Sequence, residues 1–190
     1  TCRRCQLSPS EYITNRSKTF QQYNGFNLLV GDLTNKNQPS LHWVSNRRLD
    51  NKNKIKAGQG ITTEILKPGI YGLSNAMLDT PWPKVKHRIA SFIQTLAMDS
   101  GKLEKFDNYL KLLNNQEKAQ DSELPYTGVS LDWERTLSAA FIKTENYGTR
   151  ASSILRVRKD GFFQFTEKSF DKNGEIGLIN QEGQLLTESS

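Results

Sequence analysis

Two hydrophobic periods alternate along the chain, and together they predict most of its elements. From Trp82 the apolar residues recur at Val85, Ile89, Phe92, Ile93 and Leu96. That spacing lines one face of an α-helix of about four turns. Gly101 interrupts the pattern, and Leu103, Phe106, Leu110 and Leu113 predict a second, shorter amphipathic helix. Near the start, Ser8-Pro9-Ser10-Glu11 has the form of a capping box. In such a box a serine hydroxyl and a glutamate three positions on satisfy each other's backbone N–H groups. It opens a helix that runs to Gln22, and Tyr23-Asn24-Gly25 ends it.

Strands follow where the helical spacing stops. Phe26 to Asp32 carries Leu28, Leu29 and Val30 in succession, so it is expected to be a strand buried on both faces. Leu41 to Asn46 and Ile61 to Leu66 are the next strands. Between them, residues 47–60 form a basic loop insertion that ends in Gly58-Gln59-Gly60. Residues 114–130 are polar, hold Pro125 and Gly128, and read as a connection, with a helical turn following from Leu131. Ala151 to Val157 pairs with Phe162 to Thr166 through Lys159-Asp160-Gly161, a hairpin signal. Asn173-Gly174 marks a further turn, and residues 171–190 are expected to be a partly frayed tail. The expected class is α+β, mainly antiparallel strands with covering helices, in a single region.

Composition narrows this picture. The 190 residues are enough for one core, and 35% hydrophobic residues is lean. A mean hydropathy of −0.65 agrees. No apolar run approaches the roughly 18 residues of a membrane-spanning helix, so no transmembrane segment is expected. The net charge of +6 and pI near 9.3 admit an anionic partner, but a lysine-rich surface accounts for them as well. The densest basic group, Arg47, Arg48, Lys52, Lys54 and Lys56, has no aromatic residues interleaved. Nucleic acid is therefore not an expected partner. Cys2 and Cys5 are the chain's two cysteines. Their spacing suits a redox pair or half a zinc site, but no second Cys/His pair completes it. A reducing compartment is the default.

The most informative stretch runs from Pro68 to Lys84. Ile70 to Leu73 reads as a strand that ends at Ser74-Asn75. A turn at Asp79, Thr80 and Pro81 follows, and a helix opens at Trp82-Pro83, where proline forfeits only an N–H that would be an orphan. With Tyr23-Asn24-Gly25-Phe26-Asn27-Leu28 upstream and Tyr147-Gly148-Thr149-Arg150 downstream, the chain resembles the NRDE family, that of the transport and Golgi organisation proteins. The three blocks occur in the family's order between about residues 20 and 170. The family's Met-Cys start and Asn-Arg-Asp-Glu signature are absent, and Asn46-Arg47-Arg48-Leu49 is no substitute. The resemblance therefore implies the C-terminal part of such a protein.

That resemblance also implies a layered αββα fold like the N-terminal-nucleophile hydrolases, incomplete here. In those enzymes the first residue attacks an amide carbonyl and its own α-amino group is the base. By resemblance Asn75 would supply an oxyanion donor and Arg150 a guanidinium beside the nucleophile or substrate. Asn24, Ser74, Trp82 and Tyr147 would be binding residues. Each has a structural alternative: Asn75 as a turn former, Arg150 as an ion-pair member, Asn24 as part of a helix end. Cys2 and Thr1 are poor nucleophile candidates, because Arg3-Arg4-Cys5-Gln6 is polar and leads into a helix cap.

The family is also associated with Golgi organisation, secretion and haem transfer. This implies haem as cargo rather than as a required cofactor, and a cytoplasmic location associated with Golgi or mitochondria. His42, His87, Met77 and Met98 are candidate axial donors. The two functional readings are haem or cofactor trafficking, and an amidohydrolase acting on a small amide or acyl ligand with its nucleophile outside this sequence.

Overall fold

The computed structural model describes residues 7–34, 39–49, 55–101 and 106–185. It is α+β, with two separate three-stranded antiparallel sheets. By its contacts the chain divides into two compact units, Thr1–Thr80 with Leu185–Ser190, and Pro81–Gln184. Cys2, Cys5 and the Thr1 terminus lie outside the described residues.

The first unit begins with α1 (Pro9–Phe20), and the capping box forms as expected. Ser8 N and Oγ donate to Glu11 Oε2 at 2.8 and 2.7 Å, while Glu11 N returns to Ser8 Oγ. The sheet consists of β1 (Asn27–Asp32), β2 (Ser40–Leu49) and β3 (Ile55–Ile65) in sequence order. Helix α1 covers one face, burying Ile13, Phe20 and Val44 against Leu28, Val30, Ile61 and Phe26. Full burial stabilises by about 1.5–3 kcal/mol per large side chain.

Three expectations change in this unit. Strand β1 is not buried on both faces: Leu29 is 50% exposed, because β1 is an edge strand with a single helix packed on it. The expected 47–60 loop is largely a hairpin. Strand β2 runs to Leu49 and β3 starts at Ile55, with Arg47↔Ala57 and Arg48↔Lys56 paired across it. Long basic side chains can lie along a strand with their charged ends turned aside, as Arg47 does in reaching Gly25 O, without disrupting the ladder, so charge density did not mark a loop. Residues 50–54 lie outside the described set. Finally, Ile70 to Leu73 is no strand but an irregular segment, because side chains and a turn, rather than a neighbouring strand, take up its backbone groups.

The second unit opens with α2 (Pro83–Ala97) and α3 (Asp107–Leu113). A single 3₁₀ turn (Asp121–Glu123) follows, then α4 (Leu131–Leu137). On α2 only part of the predicted face is covered: Val85 is buried, whereas Phe92, Ile93 and Leu96 are 37%, 47% and 46% exposed. Helix α3 reaches it through the Phe92–Tyr109 ring pair at 5.8 Å. The Ser130 hydroxyl caps α4. Glu134, though buried, is satisfied by Thr127 N and Oγ1 at 2.7 and 2.6 Å.

The second sheet is β4 (Ala151–Val157), β5 (Phe162–Asp171) and β6 (Gly174–Gln184). The Lys159-Asp160-Gly161 turn is present, with Gly161 at φ 87°. Within the 171–190 stretch expected to be a partly frayed tail, Gly174–Gln184 is instead an edge strand. The Asp171 carboxylate fixes its turn by accepting Asn173 N and Gly174 N at 2.7 and 3.1 Å. Residues 186–190 lie outside the described set. Under α3, Arg156 pairs with Asp99 at 3.0 Å and stacks on Phe106 and Tyr109, while Tyr109 donates to Asp99 at 2.6 Å. Among the described residues no helix is long and apolar enough to cross a membrane.

Candidate functional site

In the first unit one asparagine organises the segment that carries Ser74 and Asn75. Asn27 Oδ1 accepts the Trp43 indole N–H at 3.1 Å, and Asn27 Nδ2 donates to Ser74 O at 3.0 Å and Ala76 O at 2.9 Å. Both carbonyls flanking Asn75 are thus pinned to β1. Ala76 is fully buried, while Asn75 projects outward, exposed. Further along, Asp79 closes the loop by accepting Gly72 N and donating its own N–H to Gly72 O. Asp79 sits at φ 53°, a left-handed conformation that aspartate tolerates better than most residues. The Asn75 amide makes no hydrogen bond among the described residues, so the turn-forming role belongs to Asp79 instead.

Asn24 is exposed and serves the chain path. Its carbonyl is one of three, with those of Phe20 and Tyr23, that accept from Asn46 Nδ2, while Asn46 Oδ1 accepts Phe26 N at 2.8 Å. The Arg47 side chain lies close over Gly25, where a Cβ would come within 2.6 Å of its Cζ and displace the guanidinium. Arg47 Nη2 donates to Gly25 O at 2.7 Å. Sequence reasoning missed both Asn27 and Asn46. The signal was available, since asparagine is depleted in strands and each sits inside one.

In the second unit, Trp82 occupies the N-cap of α2, its carbonyl accepting Val85 N and Lys86 N. The Lys84 ammonium lies 5.8 Å from its ring centroid. Trp82 is therefore a helix-start residue. Tyr147 and Arg150 do come together. They line a cavity of about 790 Å³ with Lys143, Glu145, Lys172 and the rings of Phe141 and Phe170. Those two rings pack edge to face at 4.8 Å and form an apolar floor. Tyr147 in turn packs edge to face on Trp133 at 5.5 Å.

The rim of this cavity is held by backbone bonds. Thr149 N donates to Ile142 O, and Ile142 N to Thr149 Oγ1, at 2.8 and 2.9 Å. Thr144 and Tyr147 are joined three times. Gly148 permits the crossing, since a Cβ there would meet Ile142 O at 2.8 Å. The electrostatics are uneven. Asp171 is engaged by its turn amides and Glu175 by Lys168 at 2.9 Å. Lys143, Arg150 and Lys172 make no side-chain ion pair among the described residues. Glu145 likewise has no side-chain ion pair among the described residues, so the arrangement offers an aromatic floor with three unpaired cations and one unpaired carboxylate at its edge.

The remaining candidates fall elsewhere. His42 is buried in β2, His87 is exposed on α2, Met77 lies in the 66–80 segment and Met98 is 82% exposed. None lines the Tyr147–Arg150 cavity. Asn24, Ser74 and Asn75 belong to the first unit, and Trp82, Tyr147 and Arg150 to the second.

Residues 3–172 match the family model described as Transport and Golgi organisation 2. The chain is 31% identical over 166 residues to the Transport and Golgi organization protein 2 homolog of Bos taurus, covering 83% of this chain and 55% of that protein. With the Homo sapiens homolog it is 30% identical, with the same coverage. With the Transport and Golgi organization 2 homolog of Mus musculus it is 28% identical over 167 residues. The chain thus spans about half the length of the curated relatives it matches.

Proposed function

The chain belongs to the Transport and Golgi organisation 2 family, and from that premise we propose that it handles haem, or a similar planar carboxylate-bearing cofactor, as cargo in support of secretory-pathway organisation. The Tyr147–Arg150 cavity carries this reading. Its volume of about 790 Å³ lies within the range of roughly 300–1,000 Å³ common for small-ligand sites. A macrocycle would lie on the Phe141–Phe170 floor, and its propionates would meet Arg150, Lys143 and Lys172. Guanidinium–carboxylate pairs are strong and directional. The lining holds no His, Met or Cys, so binding rests on the ring and the propionates, with the Tyr147 phenol as a donor of a type that ligates haem iron. Weak ligation suits a cargo that must be released.

The test is a haem titration followed at the Soret band. Arg150→Gln combined with Lys172→Gln is expected to weaken saturation by at least about 10-fold. Lys86→Gln, His42→Ala and His87→Ala should leave it unchanged. An identical titration for the double variant would remove the cavity from the reading.

A second reading has an observation of its own. The Asn27 clamp holds both carbonyls beside Asn75, which leaves the Asn75 amide projecting from a fixed segment, as an oxyanion donor requires. On that reading the family-length protein is an amidohydrolase. Amide turnover by that protein, lost on Asn75→Ala with folding intact, would support it, and turnover unaffected by the substitution would end it.

A further inference from the structure

A second cavity in the Pro81–Gln184 unit, of about 300 Å³, shares no lining residue with the first. One wall is the start of α2. Lys84, His87 and Arg88 stand at i, i+3 and i+4 and therefore on one helical face. The facing wall is the 115–123 segment, which contributes Glu117, Lys118 and Glu123. That segment is fixed at two points. Ser138 Oγ accepts Ala119 N at 2.9 Å while donating to Arg135 O, and Phe141 N donates to Asn115 O at 2.8 Å. The walls are thus built before any ligand arrives.

Lys84 is committed to the protein. Its ammonium donates to Leu137 O at 2.9 Å, and burial holds its pKa below the ordinary value. The side chains of His87, Arg88 and Lys118 have no hydrogen bond or ion pair among the described residues. The first turn of α2 has no acidic residue, so no carboxylate of that turn stands ready to pair with them.

We propose that this cavity binds a phosphate monoester group. Three uncommitted donors, the Arg88 fork, the Lys118 ammonium and the His87 ring, match three terminal oxygens and close to two negative charges. A carboxylate, with two oxygens and one charge, would leave one of them unmatched. Glu117 and Glu123 limit the site to a single such group, because a polyanion would bring further charge against them. The volume admits a small organic phosphate or the headgroup of a phosphatidate. This site stands independently of the haem reading.

Two probes distinguish the sources. Glycerol 3-phosphate is titrated by calorimetry, and flotation is run with phosphatidylcholine vesicles with and without phosphatidic acid. The double substitution Arg88→Gln, Lys118→Gln is made at the half-buried Arg88 and the exposed Lys118, and its fold is checked by circular dichroism and by an unchanged thermal melt. Saturable glycerol 3-phosphate binding, weakened at least about 10-fold by the double variant and tightened by Glu117→Gln, supports a soluble ligand. Flotation that needs phosphatidic acid and is lost in the same variant, without glycerol 3-phosphate binding, supports the headgroup. If neither probe binds, or the double variant binds as the wild type does, the proposal fails.

Discussion

Replacing Asn46 tests whether the first unit hangs on one amide. Asn46 is 0% exposed. Its Nδ2 reaches Phe20 O, Tyr23 O and Asn24 O at 3.0, 2.9 and 3.2 Å, and its Oδ1 takes Phe26 N at 2.8 Å. It therefore ties the end of α1, the turn and the entry to β1 onto β2. Asn46→Ala leaves at least one N–H and one carbonyl without a partner inside the fold. Each orphan costs about 1–3 kcal/mol, so the expected loss is about 2–6 kcal/mol. Against a typical domain stability of about 5–15 kcal/mol this is a large fraction.

Asn46→Asp separates the hydrogen bonds from the shape. The new carboxylate keeps the acceptor for Phe26 N but faces three carbonyl oxygens, so its folded pKa rises above the ordinary value of about 3.9. The folded state then holds that proton more tightly than the unfolded chain. Stability relative to wild type is greatest below the unfolded pKa and is lost as pH climbs through the folded pKa. Urea unfolding reports this through the buried Trp43, in a Trp82→Phe, Trp133→Phe background, with wild type measured at each pH. The reasoning is refuted if Asn46→Ala costs less than about 1 kcal/mol, or if the aspartate variant shows no acid-side recovery.

Other expectations follow from single contacts. Asn27→Ala frees Ser74 O, Ala76 O and the Trp43 indole together. Amide exchange across residues 72–80 should accelerate by at least about 10-fold, and unchanged protection would show that the clamp is not what orders the segment. Gly148→Ala sets a Cβ against Ile142 O. The Thr149–Ile142 bonds should lengthen and stability fall by about 1–3 kcal/mol, checked by thermal melts beside a Gly177→Ala control, where nothing lies within contact distance. Tyr109 is pushed up to about 12, by burial first and then by its bond to the Asp99 carboxylate. In an ultraviolet titration it should ionise after the other tyrosines, and Asp99→Asn should bring it earlier. Because its folded pKa is raised, its contribution to stability is full below the unfolded value near 10 and is lost toward 12.

Local signals held where local physics is sufficient. The Ser8–Glu11 box, the proline start at Pro83 and the Lys159-Asp160-Gly161 and Asn173-Gly174 turns all formed where they were read, since each depends on a few consecutive residues. The failures share another cause. Leu28-Leu29-Val30 cannot reveal that one face of its strand lacks a covering layer. Basic density between Arg47 and Lys56 hides a hairpin, because strand pairing is a property of two segments and charge of one. Ile70 to Leu73 has strand composition, but Asp79 and Asn27 claim the backbone of the segment it belongs to.

The sequence by itself determined the α+β class, the turns and most helix starts, whereas the cavity that Tyr147 and Arg150 line emerged only in three dimensions. Tertiary structure alone decided which polar side chains became internal ties and which stayed available for ligands. Asn27 and Asn46 were drawn inward because backbone groups at chain crossings must be satisfied once water is excluded. Asn75, Arg150, Arg88 and Lys118 were left outward with no partner among the described residues. Residue type was the same on both sides of that division for the asparagines. Position in three dimensions, rather than spacing along the chain, set their roles.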